Sequence, residues 1–170
     1  VGGVVLFSKN ITTPSKTKSF INNLQSASNY GLFIGVDEEG GRISRIAKDS
    51  DFDVTTFKSM ESIGKTKDSS KAQNVGKTIG TYLQKYNFNL DFAPDCDVNT
   101  NSKNIVIGDR AFGSNPELVS DMVSSAIKGF HQSNTICCVK HFPGHGDTTN
   151  DTHSGYVAVK KTWSQMKACE

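Results

Sequence analysis

The stretch 140–153, KHFPGHGDTTNDTH, gathers three of the four histidines of the chain with two aspartates and a lysine. One chemistry open to it is metal binding. His141 and His145 form H-x-x-x-H, with Asp147, Asp151 and His153 nearby. That spacing brings two imidazoles to one face only across a helical turn. The intervening Phe142-Pro143-Gly144 opposes a helix, because Pro lacks the amide donor and Gly costs about 1 kcal/mol relative to Ala. The other chemistry is proton transfer. Asp151 and His153 are separated by one residue, so in extended backbone both side chains lie on the same side. A carboxylate accepting from one ring nitrogen orients the imidazole and favours its protonated form. The other nitrogen can then exchange a proton with a substrate. A D-x-H in a loop is also ordinary polar surface. His131, late in a helical pattern, is expected to be a solvated helix-end residue.

Further polar residues follow apolar runs. Asp37 ends LFIGV and precedes Glu38, Glu39 and Arg42; Asp95 and Asp97 follow FNLDFAP; Lys140 and His141 end ICCV. Strand ends are where α/β proteins place their sites. The elements that must position these residues are legible as an alternation. GVVLF (3–7), GLFIGVD (31–37), FNLDFAP (88–94) and ICCVKHF (136–142) read as strands. Between them, Thr13-Pro14 opens a helix with Phe20, Ile21, Leu24 and Ala27 on its apolar side. A second helix over about 70–86 carries Ala72, Val75, Ile79, Tyr82, Leu83 and Tyr86, with Gly76 and Gly80 as marks of close packing. A third, capped by Asn115, carries Leu118, Val119, Met122, Val123, Ala126, Ile127 and Phe130. Residues 42–68 show no clear period, and Thr162-x-x-Gln165 resembles a capping box.

This order argues α/β with a parallel sheet. Four βα units in 170 residues average about 42 residues, and eight would need about 340, within the range of (β/α)8 barrels. A self-contained doubly wound sheet is the competing architecture. Apolar residues are 35% of the chain, and the 15 glycines raise that class to about 44%, near the globular norm. Nineteen Lys+Arg against seventeen Asp+Glu give a net charge of +2 without runs of one sign. That balance gives no support for a nucleic-acid or membrane-surface partner, and no apolar run reaches the length of a membrane span. Cys96, Cys137, Cys138 and Cys169 have no zinc-ribbon or C-x-x-C spacing, and buried thiols acting as small hydrophobes are expected. The compartment stays open, with the cytoplasm slightly favoured, since any signal peptide would precede Val1.

KHFPGHG followed by D-x-H strongly resembles the signature of glycoside hydrolase family 3, in its bacterial β-N-acetylhexosaminidase branch. GGVVLFSKN (2–10), IGVDEEGGRISRI (34–46), NLDFAPDCDVN (89–99) and IGDRAFGSNP (107–116) extend the likeness in the family's order. The resemblance implies a (β/α)8 barrel, of which residues 1–170 would be an incomplete part with about four βα units. It implies sugar-binding roles for Asp37, Arg45, Arg110, Lys140 and His141. It implies an acid/base dyad at Asp151 and His153, with Thr152 where Ser is frequent. The implied activity is that of a retaining exo-β-N-acetylglucosaminidase on terminal β-linked N-acetylglucosamine from cell-wall fragments, with no cofactor and no metal. The family's first strand is expected before residue 1 and its nucleophilic aspartate beyond residue 170. The chain is therefore expected to be a fragment that needs the missing C-terminal half of the barrel as its partner. Two other readings remain: a non-catalytic sugar-binding domain, and a metal-dependent hydrolase built on His141, His145 and Asp147.

Overall fold

The computed structural model describes residues 1–49 and 51–169. Four strands, β1 (Gly3–Val5), β2 (Phe33–Val36), β3 (Leu90–Asp91) and β4 (Ile136–Cys137), form one parallel sheet in the order β1-β2-β3-β4. The helices between them are α1 (Pro14–Ser26), α2 (Met60–Gly64), α3 (Ser69–Lys85) and α4 (Pro116–Gln132), and α5 (Trp163–Lys167) follows β4. Sequential parallel strands, each joined to the next through helix, are the repeating unit of a (β/α)8 barrel, of which this sheet is an incomplete part.

The strands are shorter than the apolar runs that signal them. Pro94 and Pro143 have no N–H to contribute to the ladder, and regular pairing of β3 and β4 stops well before them. A lone parallel bridge, Asp95 to Lys140, continues the strand direction into the polar ends. Helix starts follow their caps: Thr13 before Pro14, Asn115 before Pro116, and a reciprocal Thr162–Gln165 box. α2 carries no periodic signal because five residues are barely more than one turn; the Ser59 side chain caps it.

α3 and α4 supply most of the cover on one face of the sheet. The expected apolar stripe of α3 is buried throughout, and a Cβ on Gly76 would lie 2.1 Å from the Ala126 carbonyl oxygen. The two backbones can touch there only without a side chain. α1 differs from expectation: Ile21 is buried, whereas Phe20 and Ala27 face solvent, because no helix packs beside it as α4 packs on α3. The sheet is likewise two-faced. Val4, Ile34 and Val36 point into the helical core, while Val5, Phe33 and Ile136 stand on the uncovered side. That alternation corrects the expectation for the thiols. Cys137 is half-buried on the covered side, whereas Cys138 is exposed, one residue later in the pleat. Cys96 and Cys169 are half-buried against the core.

Candidate functional site

The residues beyond the C-terminal ends of β2, β3 and β4 converge, and a buried carboxylate organises them. Asp37, Glu38 and Glu39 follow β2 directly. Extended backbone sends Asp37 and Glu39 one way and Glu38 the other. Glu38 is fully buried, accepting the backbone amides of Arg45, Ile46 and Ala47 and the hydroxyl of Tyr82. It therefore shapes the loop that carries Arg45.

Glu39 faces the site, its side chain only 1% exposed. It receives Arg110 in a two-point grip, Nε to Oε2 at 2.8 Å and Nη2 to Oε1 at 2.7 Å. Lys140 Nζ bridges its Oε1 and Asp37 Oδ1, both at 2.6 Å. Arg45 Nη2 lies 3.8 Å from Asp37 Oδ2. On the other flank, Asp97 Oδ1 accepts the backbone amide of His145, and its Oδ2 meets His141 Nδ1 at 2.6 Å. Arg110 Nη2 lies 3.1 Å from His141 Nε2. A guanidinium only donates, so Nε2 is the acceptor and the ring proton sits on Nδ1, directed at Asp97. Asp37, Arg45, Arg110, Lys140 and His141 thus form one connected set.

The electrostatics match this wiring. Burial works against the Arg110 charge, but Glu39 and then Asp95 hold its pKa above the usual value. Burial also opposes ionisation of Asp97, yet His141 and the His145 amide hold it below the ordinary carboxylate range. Asp95, 3.6 Å from Arg110 Nε, is pushed well above that range by burial and by the charges of Asp97 and Glu39. Burial, then Asp97 and Asp95, raises the Cys96 thiol to about 11, so it is a poor nucleophile beside this cluster.

Asp151 and His153 are placed differently. They flank Thr152 in a short 3-10 turn, where Asp151 Oδ1 accepts from the His153 backbone amide at 2.9 Å and lies 2.7 Å from its Nδ1. These two contacts hold Asp151 below its ordinary pKa. The arrangement fixes the ring and turns Nε2 away from the carboxylate, as an acid/base dyad requires. Their side chains are 44% and 89% exposed. Among the described residues, no hydrogen bond or ion pair joins this dyad to the Arg110 cluster.

The groups of the metal alternative take separate partners. His145 Nδ1 engages the Thr148 hydroxyl, its ring stands edge-on to His141, and Asp147 pairs with Thr100 and Lys161. Asp95, Asp97 and His141 do bring three donor atoms within 4.8 Å of one another. Asp97 and His141 there already satisfy each other, and Arg110 brings a positive charge to the group. His131 lies exposed in the last turn of α4. Residue type alone assigns no role to Glu39, Asp95 and Asp97; the available signal is their spacing of two along extended backbone after an apolar run.

Residues 1–170 match the family described as glycosyl hydrolase family 3 N terminal domain. The chain is 39% identical over 167 residues to beta-hexosaminidase A of Pseudoalteromonas piscicida, covering 94% of this chain and 27% of that protein. It is 33% identical to the beta-hexosaminidase of Idiomarina loihiensis, covering 99% of this chain and 50% of that one. Among solved structures, it superposes on a family 3 beta-N-acetylglucosaminidase from Paenibacillus sp. with a TM-score of 0.91 at 33% identity, over 98% of this chain and 32% of that one. NagZ from Neisseria gonorrhoeae, in complex with N-trifluoroacetyl-D-glucosamine, gives 0.90 at 29%, over 99% and 50%. The chain spans between a quarter and a half of these relatives.

Proposed function

The chain belongs to the N-terminal domain family of glycosyl hydrolase family 3, and from that premise we propose that residues 1–170 are part of its barrel domain and carry the sugar-binding side of a retaining exo-β-N-acetylglucosaminidase with its acid/base dyad. The observation that carries this reading is the connected set of Asp37, Lys140, Glu39, Arg110 and His141 across three strand ends. Asp37, Lys140 and His141 each keep part of the side chain exposed. Such a set offers a carboxylate to accept from sugar hydroxyls and cations to donate to sugar oxygens. The substrate is a terminal β-linked N-acetylglucosamine, as cell-wall fragments supply.

In the proposed reaction His153 protonates the leaving glycosidic oxygen through Nε2, with Asp151 orienting the ring and stabilising the imidazolium. The dyad then takes a proton from the attacking water. A retaining mechanism also needs a carboxylate to bond the anomeric carbon. We assign that nucleophile to sequence outside these 170 residues, in the remaining half of the barrel, which would pair with the sheet edges and cover its open face.

The test compares leaving groups in the longer protein containing this chain. His153→Ala should slow natural glycosides about 10²–10⁴-fold, the usual contribution of a positioned proton donor. Activated aryl glycosides, which need little protonation, should lose far less. Equal loss on both substrates would remove His153 from the acid role.

A further inference from the structure

Arg42 lies at the rim of the site, its side chain 41% exposed, yet among the described residues its guanidinium donates to one segment. Nη2 donates to the carbonyls of Ile105, Val106 and Ile107 at 3.0, 2.5 and 3.0 Å, and Nε to Asp109 Oδ1 at 2.8 Å. Gly40 and Gly41, at φ +85° and +60°, make the turn that delivers Arg42 there. The segment runs directly into Arg110, whose Nη1 returns to the Val106 carbonyl at 3.2 Å before the guanidinium reaches Glu39 and His141. The stretch 105–109 is therefore held between two guanidinium groups, Arg42 outside and Arg110 inside. The Ile107 carbonyl also accepts the Arg110 backbone amide at 2.9 Å, which closes the 3-10 turn Gly108–Arg110, so the carbonyls of Ile105 and Val106 are the ones left to side-chain donors. The planar guanidinium reaches the carbonyls with Nη2 and the Asp109 carboxylate with Nε at once, a two-nitrogen geometry that a lysine ammonium lacks.

We propose that Arg42 is a positioning residue for the sugar site, fixing the 105–109 segment so that Arg110 meets Glu39 and donates to His141 Nε2. The inference rests on the sugar-binding reading of Arg110 and His141 for its consequence in binding, but its structural core stands apart from that reading. Arg42 touches no sugar-facing side chain; it acts through the backbone that aims Arg110. The hydrogen bond to His141 Nε2 then depends on Arg42, because Arg110 is its donor, while the Asp97 carboxylate independently accepts from Nδ1.

Two measurements on the longer protein containing this chain separate the inference from the function beneath it. The first is the ¹⁵N resonances of the His141 ring in wild type and Arg42→Lys. We expect the Nε2 resonance to move as the Arg110 bond is lost, while circular dichroism and the dispersion of the α3 and α4 amides stay as in wild type. Asp109→Asn loosens the same clamp from its other end and should move the resonance less, in the same direction. If neither variant moves the His141 ring nitrogens, Arg42 is a surface anchor only and the proposal fails. The second measurement is titration with N-acetylglucosamine, where Arg42→Lys should weaken binding about tenfold, the effect of one lost charge-assisted hydrogen bond. Wild-type binding retained in full by Arg42→Lys would also overturn the proposal. A wild-type protein that binds no N-acetylglucosamine overturns the sugar reading instead, and the ring resonances still decide the role of Arg42.

Discussion

The strand-end cluster and the Asp151–His153 loop carry groups of the same chemical kind, yet the fold treats them in opposite ways. Glu39, Asp95, Asp97, Arg110 and Lys140 come from positions far apart in sequence, are largely withdrawn from water and hold one another. Asp151 and His153 are neighbours in sequence, project into solvent and, among the described residues, are held by each other. In the proposed reaction the first set recognises a ground-state sugar and gains from geometry set before binding. The second must transfer a proton at one moment and can be delivered by a loop. Binding is thus built into the sheet, and proton transfer is attached to it.

The largest test of that division is Glu39→Gln. It removes the charge that Arg110 and Lys140 share in a buried setting, and breaking a buried ion pair costs about 3–5 kcal/mol. Urea denaturation should show a loss of that size. A loss under about 1 kcal/mol would mean that the cluster is solvated and not built as a unit.

A smaller effect sharpens the same contrast through pH. Complete burial, with added repulsion from Glu38 and Glu39, pushes Asp91 well above the ordinary carboxylate range, and its Oδ2 has no partner among the described residues. The folded protein then keeps a proton that the unfolded chain has released above about pH 4, so stability falls as pH rises from there toward the folded pKa. Asp95 acts with the same sign. Asp97, held low, acts in the other direction: its contribution is present above about pH 4 and disappears as pH falls through its folded value. Asp91→Asn should therefore flatten the decline in melting temperature above about pH 4. An unchanged slope would show that Asp91 ionises freely.

Fold and site were legible in the sequence to different depths, for physical reasons. The α3 and α4 stripes and the Asn115 cap are local signals; they place α3 within a residue of its ends and α4 at its start. Strand lengths are overread because the apolar runs 88–94 and 136–142 extend beyond the paired residues Leu90–Asp91 and Ile136–Cys137. Cys138 was misjudged because its burial depends on which face of the sheet is covered, and no short window carries that. Asp151 and His153 were visible as a pair because their contact spans two residues. The grip of Glu39 on Arg110 crosses 71 positions, and only the parallel order of the strands brings them together. Arg42 is the least visible, since three of its four partners are backbone carbonyls that any residues would supply.

The dyad should matter least to the folded state: His153→Ala, at an exposed site with local contacts, should change stability by no more than about 0.5 kcal/mol. The most direct test of the account combines that variant with Lys140→Ala in one titration of the longer protein containing this chain by N-acetylglucosamine, followed by NMR. Binding should be lost in Lys140→Ala and unchanged in His153→Ala. If His153→Ala weakened binding as much as Lys140→Ala, recognition and proton transfer would not be separately housed, and the central claim would be contradicted.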